Sequence, residues 1–420
     1  MKKPNKNFEF HYIQAESVDP PITKIDYRGN FIKYDENNLY PQFLASLVLQ
    51  STTHGSFIEL KKKAIAGLGV EIFQADGVTP FPEAQKWFNN WNEGDLDETK
   101  LEKMAADLAK YSGMCFKAHW NNAKVALEEA RIKGEQTPNE MINLAGVNFD
   151  YSCFKDWRSG VPDAEEDVHS YFYSKQWQKA NPVYMELPSF DGNNVVYRNE
   201  RNEIVVDDEQ VLYYFKKNDN SDVYPIPSYT SSVYQILSEG LLAKNGYNAI
   251  VNGFQADGIL VVPLLETEEK KQEMEAEFRR NYTGVENARK VMVMMTDGGE
   301  ESQEPKWIPI NSTDNPELRA SMINQFSQEI STAHGSTSPS LVGLKGSTGF
   351  ASDANEMIIA YNYFNFKEIE PEQKTIERFF KNYLFRYAPA EYRTATAKIT
   401  PLKFKEMLGF IDEAQPQIEE

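Results

Sequence analysis

The chain has 420 residues, of which 41% are hydrophobic and 13% aromatic, and its formal net charge is −19. That length corresponds to roughly two or three domains, and so many apolar side chains exclude a globally disordered protein. The acidic balance argues against a protein that grips nucleic acid, because such a protein needs lysine and arginine against the phosphates.

Two cysteines, Cys115 and Cys153, are too few for a disulfide framework or a zinc site. They are typical of buried thiols in a reducing compartment. The basic opening of the chain is followed by no apolar run, so the sequence predicts neither a signal peptide nor a membrane-spanning helix.

The first half of the chain predicts a mixed α+β domain. A first helix is expected at Pro41, and a second ends at Gly67, where glycine stops the apolar period. This second helix is predicted over residues 56–66. Further helices are predicted over 83–91 and 97–111, and short strands over 70–73, 114–120, 170–173, 195–197 and 211–215. Helices and strands do not alternate regularly, which is typical of the α+β class.

A boundary is predicted at Pro225-Ile226-Pro227, after which Ser228 can cap a long helix that continues to about Phe254. Gly240 and Gly246 lie inside this helix, where each costs about 1 kcal/mol relative to alanine. Small residues there indicate either the close approach of a neighbouring element or a kink.

A small α/β module is predicted next, over residues 258–312. Its strands are expected at 258–263, 290–296 and 305–310, with a helix over 267–282 and a turn at 297–299. The module lies between two long helices, because Asp314, Asn315 and Pro316 open another helix that ends at His334 and Gly335.

The segment 335–353 has neither a helical nor a strand period. It contains four glycines and one basic residue, Lys345. Irregular segments of this length are usually functional or disordered, and composition alone leaves both open. A helix resumes at Asp353, Pro371 is expected to break it, and helices are predicted over 372–387 and 402–411.

Motifs for common chemistry are missing from the sequence. Around Gly343 the glycines do not match a P-loop, because Lys345 precedes the second glycine, and there is no Gly-x-Ser-x-Gly elbow. The five histidines lack metal-ligand spacing, and His334 at a helix end is better interpreted as a partner of the helix dipole. The sequence therefore predicts no cofactor and no metal site, and favours a structural role over an enzyme.

The order of these parts resembles that of bacteriophage portal proteins of the HK97-like kind. The resemblance covers nearly everything from Asn37 to Leu384, and its specificity comes from the ordered set rather than from any one motif. The matching pieces are NLYP at 38–41, AIAGLG at 64–69, YPIP at 224–227, NG at 252–253, GIL at 258–260, NARKV at 287–291, the 318–330 helix, PSLVG at 339–343, residues 352–363 and IEP at 369–371.

The resemblance implies an elongated subunit in a homo-oligomeric ring, expected to be a dodecamer, at one capsid vertex of the virion. Residues 1–227 would form the wing, 228–257 and 313–334 the stem helices, 258–312 the clip and 335–353 the tunnel loop. Residues 354–389 would be helices near the crown, and 390–420 a tail or reduced crown, since little chain follows Tyr387.

The resemblance also implies the partners and the site residues. Double-stranded DNA would pass through the channel without sequence specificity, and the large terminase, the head-tail adaptor and the major capsid protein would dock outside it, in the host cytoplasm during assembly. The expected DNA-facing residues of the tunnel loop are Leu341, Leu344, Lys345, Ser347, Thr348 and Phe350. The expected clip contacts to terminase or adaptor are Glu268, Glu269, Asp297, Glu300 and Glu301.

Two other classes remain open. One is a cytosolic enzyme in which residues 335–353 form an active-site lid, and the other is a different capsid or adaptor ring protein. The size of the purified assembly separates the enzyme from the rings.

Overall fold

The computed structural model has an α+β fold, as the sequence predicted. It divides into two compact units, one that contains residues 237–323 and one that contains residues 21–236 and 324–420. The residues described are 25–26, 31–35, 37–94, 98–137, 142, 144–161, 168–192, 195–199, 201–215, 223–251, 258–263, 292–296, 306–309, 316–343 and 354–402.

The first elements of the larger unit are mainly helices. They are β1 (Ile25–Asp26), β2 (Lys33–Tyr34), α1 (Tyr40–Gln50), α2 (Thr52–Ala66), β3 (Val70–Phe73), α3 (Pro82–Asn92) and α4 (Lys100–Tyr111). Helix α2 begins earlier than predicted because the Ser51 side chain accepts the His54 N–H at 3.0 Å. Helix α4 begins later than predicted because Thr99 and Glu102 form a capping box.

The middle of the larger unit is mainly antiparallel sheet. Its elements are β4 (Gly113–Trp120), α5 (Asn122–Lys133), β5 (Val147–Ser152), β6 (Trp157–Ser159), β7 (Ser170–Tyr173), β8 (Met185–Pro188), β9 (Val196–Arg198), β10 (Ile204–Val206) and β11 (Glu209–Phe215). One sheet has the order β11-β4-β5 and another β6-β7-β8. Helix α5 was not predicted, although Asn121 caps its start and Gly134 its end, because the runs around it suggested strands.

The smaller unit contains three strands, and long helices precede and follow them in the chain. A 3-10 turn (Ser228–Ser232) leads into α6 (Val233–Val251), so the α-helix begins after Ser228 rather than at it. The strands β12 (Gly258–Pro263), β13 (Met292–Thr296) and β14 (Lys306–Pro309) precede α7 (Pro316–Ala333). Strand β12 is central, parallel to β13 and antiparallel to β14. All three strands were predicted, whereas the predicted helix 267–282 and turn 297–299 lie outside the described residues.

The chain then forms a nearly continuous helical run, in which the predicted break at Pro371 is absent. Helix α8 (Ala354–Phe364) is followed by a π-helical turn (Asn365–Ile369), α9 (Glu370–Phe379) and a second π-helical turn (Phe380–Leu384). Pro371 lies in the first turn of α9, directly after the wide turn. At that position its missing N–H and fixed φ are tolerated, so the helix continues through it.

The last described strand pairs with a strand from the beginning of the larger unit. Strand β15 (Thr396–Ile399) pairs antiparallel with β3, and the Ile399 N–H also donates to the Glu377 carboxylate at 2.9 Å. The predicted helix over 402–411 lies almost wholly outside the described residues.

Aromatic side chains pack the helical run against the central sheet. Phe379 of α9 stacks on Phe116 of β4 with ring centroids 4.2 Å apart, and Phe380 meets Phe88 of α3 edge-on at 5.2 Å. Burial of such large rings is the main stabilising contribution here. The run therefore has one face fixed in the core.

Candidate functional site at the connection between α7 and α8

The predicted site residues lie mostly outside the described part of the chain. Leu341 is described, whereas Leu344, Lys345, Ser347, Thr348 and Phe350 of the tunnel loop are not. The predicted clip contacts Glu268, Glu269, Asp297, Glu300 and Glu301 are not described either. The site is therefore built from the start of the connection and from the helices that hold it.

The connection begins with a tightly held glycine. Gly335 has φ +81°, and its N–H donates to Thr332 O at 2.9 Å, while the Ser336 N–H donates to Ser331 O at 2.9 Å. This is the Schellman arrangement that ends many helices, and it confirms the predicted glycine cap. A Cβ at Gly335 would lie 2.4 Å from Oε1 of Glu368, so the helical run after the connection packs directly on the cap.

The next residues form a 3-10 turn, Pro339–Val342, where the sequence predicted irregular chain. Ser338 caps the turn by accepting the Ser340 N–H at 3.2 Å, Pro339 starts it, and Gly343 ends it with φ +80°. Sequence reasoning overlooked these cap signals because the segment is too short to show a period. The turn packs against α2 and α8, so Leu341 is half-buried in an anchored segment.

Two buried histidines, one of which directly precedes Gly335, lie at the start of the connection. Nδ1 of His54 and Nε2 of His334 are 2.9 Å apart, and both side chains are fully buried. The His334 ring stacks on Phe57 at 5.1 Å and on Tyr229 at 5.2 Å. Among the described residues the outer nitrogens, Nε2 of His54 and Nδ1 of His334, have no hydrogen-bond partner.

Both histidines are neutral at physiological pH. Burial, with a smaller contribution from the Lys61 ammonium, lowers the pKa of His54 to about 3 and holds the pKa of His334 well below its usual value. Lys61 itself is paired with Glu368 at 3.0 Å. The prediction that His334 acts as a charged partner of the helix dipole is therefore wrong, because desolvation outweighs any gain from the dipole.

The two long helices meet within the smaller unit. Nη2 of Arg319 on α7 donates to Leu242 O on α6 at 3.1 Å. A Cβ at Gly246 would lie 2.8 Å from Nη2 of Arg319, so at this glycine the predicted close approach of a neighbour is confirmed. Beyond this contact, residues 320–325 of α7 are all exposed. Consecutive residues point to every side of a helix, so every side of this stretch has partly exposed side chains, with Met322 37% and Ile323 41% exposed.

Burial shifts the pKa of several titratable side chains among the described residues. Burial raises the pKa of the Cys153 thiol to about 12 and also raises the pKa of Cys115, so both thiols are unreactive. Cys115 is buried, as predicted, whereas Cys153 is half-buried. Burial raises the pKa of Asp107 to about 6, and its carboxylate accepts the Tyr151 hydroxyl and the Phe154 N–H. Within the described ranges, no cluster of three or more His, Cys, Asp or Glu side chains could hold a metal ion.

No described helix combines the length and apolar character needed to cross a bilayer.

The comparisons with known proteins bear on the fold. No protein-family model matches the chain, and no curated protein does so.

Similar solved structures come from gene transfer agent (GTA) particles. A chain from the neck of an empty GTA particle, computed with C6 symmetry, is 13% identical, with 85% of this chain and 83% of that chain covered and a TM-score of 0.51. Chains from the virion of the native particle and from its neck computed with C12 symmetry are also 13% identical, with TM-scores of 0.49 and 0.48. They cover 86% and 85% of this chain and 83% and 84% of the matched chains. The chain therefore shares its fold with a chain of a particle neck.

Proposed function

We propose that the protein is a phage-type portal protein, which forms a ring at one capsid vertex. The ring is the channel through which double-stranded DNA is packaged and ejected, and it is the docking site for the large terminase, the head-tail adaptor and the major capsid protein. The role is structural rather than enzymatic.

The observation that carries this proposal is the run of six consecutive exposed residues, 320–325, in α7. Met322 and Ile323 within that stretch are exposed apolar residues. Helices in proteins are stabilised mainly by packing of their apolar faces, so a partner that covers this stretch would stabilise it. Neighbouring copies in a ring would supply that cover through head-to-tail contacts.

The likeness to a GTA neck chain supports the same proposal. That structure is the neck of a particle and was computed with C6 symmetry. A dodecamer is compatible with sixfold symmetry, and twelve remains our proposed number. The order of long helix, three-stranded sheet and long helix supports the division into stem helices 228–257 and 313–334 and clip 258–312.

Charge would keep the DNA from adhering to the channel. Each copy carries a net charge of −19, and residues 335–353 contain one cation, Lys345. Acidic surfaces that face the bore repel phosphates, while Leu344 and Phe350 of the tunnel loop would contact the duplex without reading its sequence.

The tunnel loop gives the functional test. Deleting residues 344–349, beyond the Gly343 cap, removes four of the six proposed DNA contacts, Leu344, Lys345, Ser347 and Thr348, and leaves the anchored 3-10 turn intact. We expect rings with the wild-type number of subunits and particles that fail to retain packaged DNA, measured as the ratio of full to empty heads. Lys345→Ala is the matched control, and it should have a small effect because one cation contributes little. Normal numbers of full heads from the deletion variant would remove the loop from the mechanism.

A further inference from the structure

One face of the helical run 354–384 presents exposed side chains between residues 359 and 381. In its first half this face presents Ile359, Tyr363 and Phe366, spaced i, i+4 and i+7, with 68%, 48% and 69% of their surface exposed. Three large apolar side chains in one stripe form a surface that water solvates poorly. The opposite side of the run is buried through Ile369, Ile376 and Phe379.

The second half of the same face is cationic. Lys374, Arg378 and Lys381 repeat the i, i+4, i+7 spacing and are all exposed. We call the stripe of these six residues, Ile359, Tyr363, Phe366, Lys374, Arg378 and Lys381, the α8–α9 face.

One acidic residue, Glu370, lies on this face, four positions after Phe366 and four before Lys374, against three cations. Four acidic residues of the run are half-buried, whereas the three cations are exposed. These acidic residues are Glu368, Glu370, Glu372 and Glu377. Glu368 pairs with Lys61, and Glu377 accepts the Ile399 N–H. Glu370 reaches Lys374 at 3.7 Å, an exposed pair that contributes little. The face is therefore net positive in a chain whose total charge is −19.

We propose that the α8–α9 face docks onto an acidic, partly apolar surface of a second copy of this chain. The inference rests on the proposed ring, because a closed ring joins two different surfaces of identical subunits. The chain as a whole has a net charge of −19, so the surface that a second copy offers is on average acidic and complementary to the cations of this face. The run is fixed in the core, so docking orders little new chain.

The apolar half of the face favours a protein over DNA as the occupant. A duplex presents phosphates to lysine and arginine, but its backbone has no apolar surface to cover Ile359 and Phe366. A protein interface combines an apolar centre with a charged rim, which matches the two halves of this face.

The charge half is tested by reversal. The variant Lys374→Glu, Arg378→Glu, Lys381→Glu is compared with Lys86→Glu, Lys179→Glu, Arg201→Glu, which reverses three other exposed cations and changes the net charge equally. Assembly of the full chain is followed by light scattering against protein concentration and salt. We expect the first variant to need at least about tenfold more protein for half-assembly and the control to resemble the wild type.

The apolar half is tested in the same assay. Ile359→Ser with Phe366→Ser should weaken assembly, whereas Leu49→Ser with Val183→Ser, at positions 91% and 82% exposed, should not. All four sites are exposed, so the unfolding midpoints of the variants should match the wild type, which separates loss of docking from loss of folding.

Three outcomes would overturn the inference, and they differ in whether the ring proposal is overturned as well. A wild-type chain that stays monomeric at every concentration overturns the ring proposal as well. Wild-type rings with no difference between each variant and its control overturn the docking face alone. Rings that persist in the charge-reversed variant but lose salt-dependent retention of duplex DNA assign the face to nucleic acid instead.

Discussion

The His54–His334 pair is buried without being fully satisfied. Each neutral imidazole has one N–H donor and one acceptor nitrogen. The single hydrogen bond between the two rings uses the donor of one ring and the acceptor of the other. One buried acceptor and one buried N–H therefore remain, one on each ring. Both outer nitrogens lack partners among the described residues. Packing between Phe57 and Tyr229 holds the pair in place and excludes the proton that would otherwise charge it.

This burial makes stability depend on pH in one direction. The unfolded histidines titrate near pH 6.5, whereas in the folded chain burial lowers the pKa of both. The unfolded state therefore binds more protons below pH 6.5, and the folded state loses up to about 1.4 kcal/mol per pH unit for each histidine. For His54 the loss continues towards pH 3.

Replacing both rings tests this assignment. His54→Phe with His334→Phe keeps aromatic packing and removes both unsatisfied nitrogens, so stability at pH 7.5 should change little. The urea midpoint at one fixed protein concentration should then fall less between pH 7.5 and pH 5 than it does in the wild type. His119→Gln, at a half-exposed site, is the control and should keep the wild-type fall. An equally steep fall in the double variant would show that other groups govern the acid response.

The contact between His54 and His334 could not be predicted from the sequence. His54 and His334 are 280 positions apart, and each alone is an ordinary histidine in a helical pattern. The burial of Cys115, by contrast, was predictable, because this residue stands in an apolar strand pattern, and burial is the main cause of its raised pKa.

At the scale of the elements, local signals were predictable and distant pairings were not. Pro316 at the start of α7 and Gly335 after its end follow rules that act within a few residues. Strand β15 was missed because its hydrogen-bond partner, β3, lies more than three hundred residues earlier. The break expected at Pro371 failed because a π-helical turn, which no local rule predicts, precedes it.

The two glycines that frame the 3-10 turn give a matched experiment. Both have φ near +80°, so alanine at either costs about 1 kcal/mol of backbone strain. At Gly343 a Cβ meets nothing within 4 Å, whereas at Gly335 it meets Glu368, which Lys61 holds in place. We expect Gly335→Ala to destabilise by roughly 1–3 kcal/mol more than Gly343→Ala, because the packed side chain must move.

Urea unfolding of the two alanine variants measures the difference directly. The Gly343→Ala variant is the control for Gly335→Ala, because it introduces the same backbone strain without a contact to another side chain. Equal midpoints for the two variants would mean that the contact between Gly335 and Glu368 does not hold the start of the connection.

For the whole molecule, the sequence predicted the α+β class. Mixed helices and short strands indicated α+β, and the three strands of the smaller unit were predicted because each is a short β-branched or apolar run with turn residues at its ends. What one chain cannot reveal is what covers α7 over residues 320–325, since that depends on contacts with other copies.

Cryo-electron microscopy of the purified full chain, viewed along the particle axis, tests the ring. We expect closed rings of many copies of the 48.1 kDa chain, with an open axial channel and with α7 covered by a neighbouring subunit over residues 320–325. Single subunits or dimers without a channel, in which that stretch of helix stays exposed, would contradict the portal assignment.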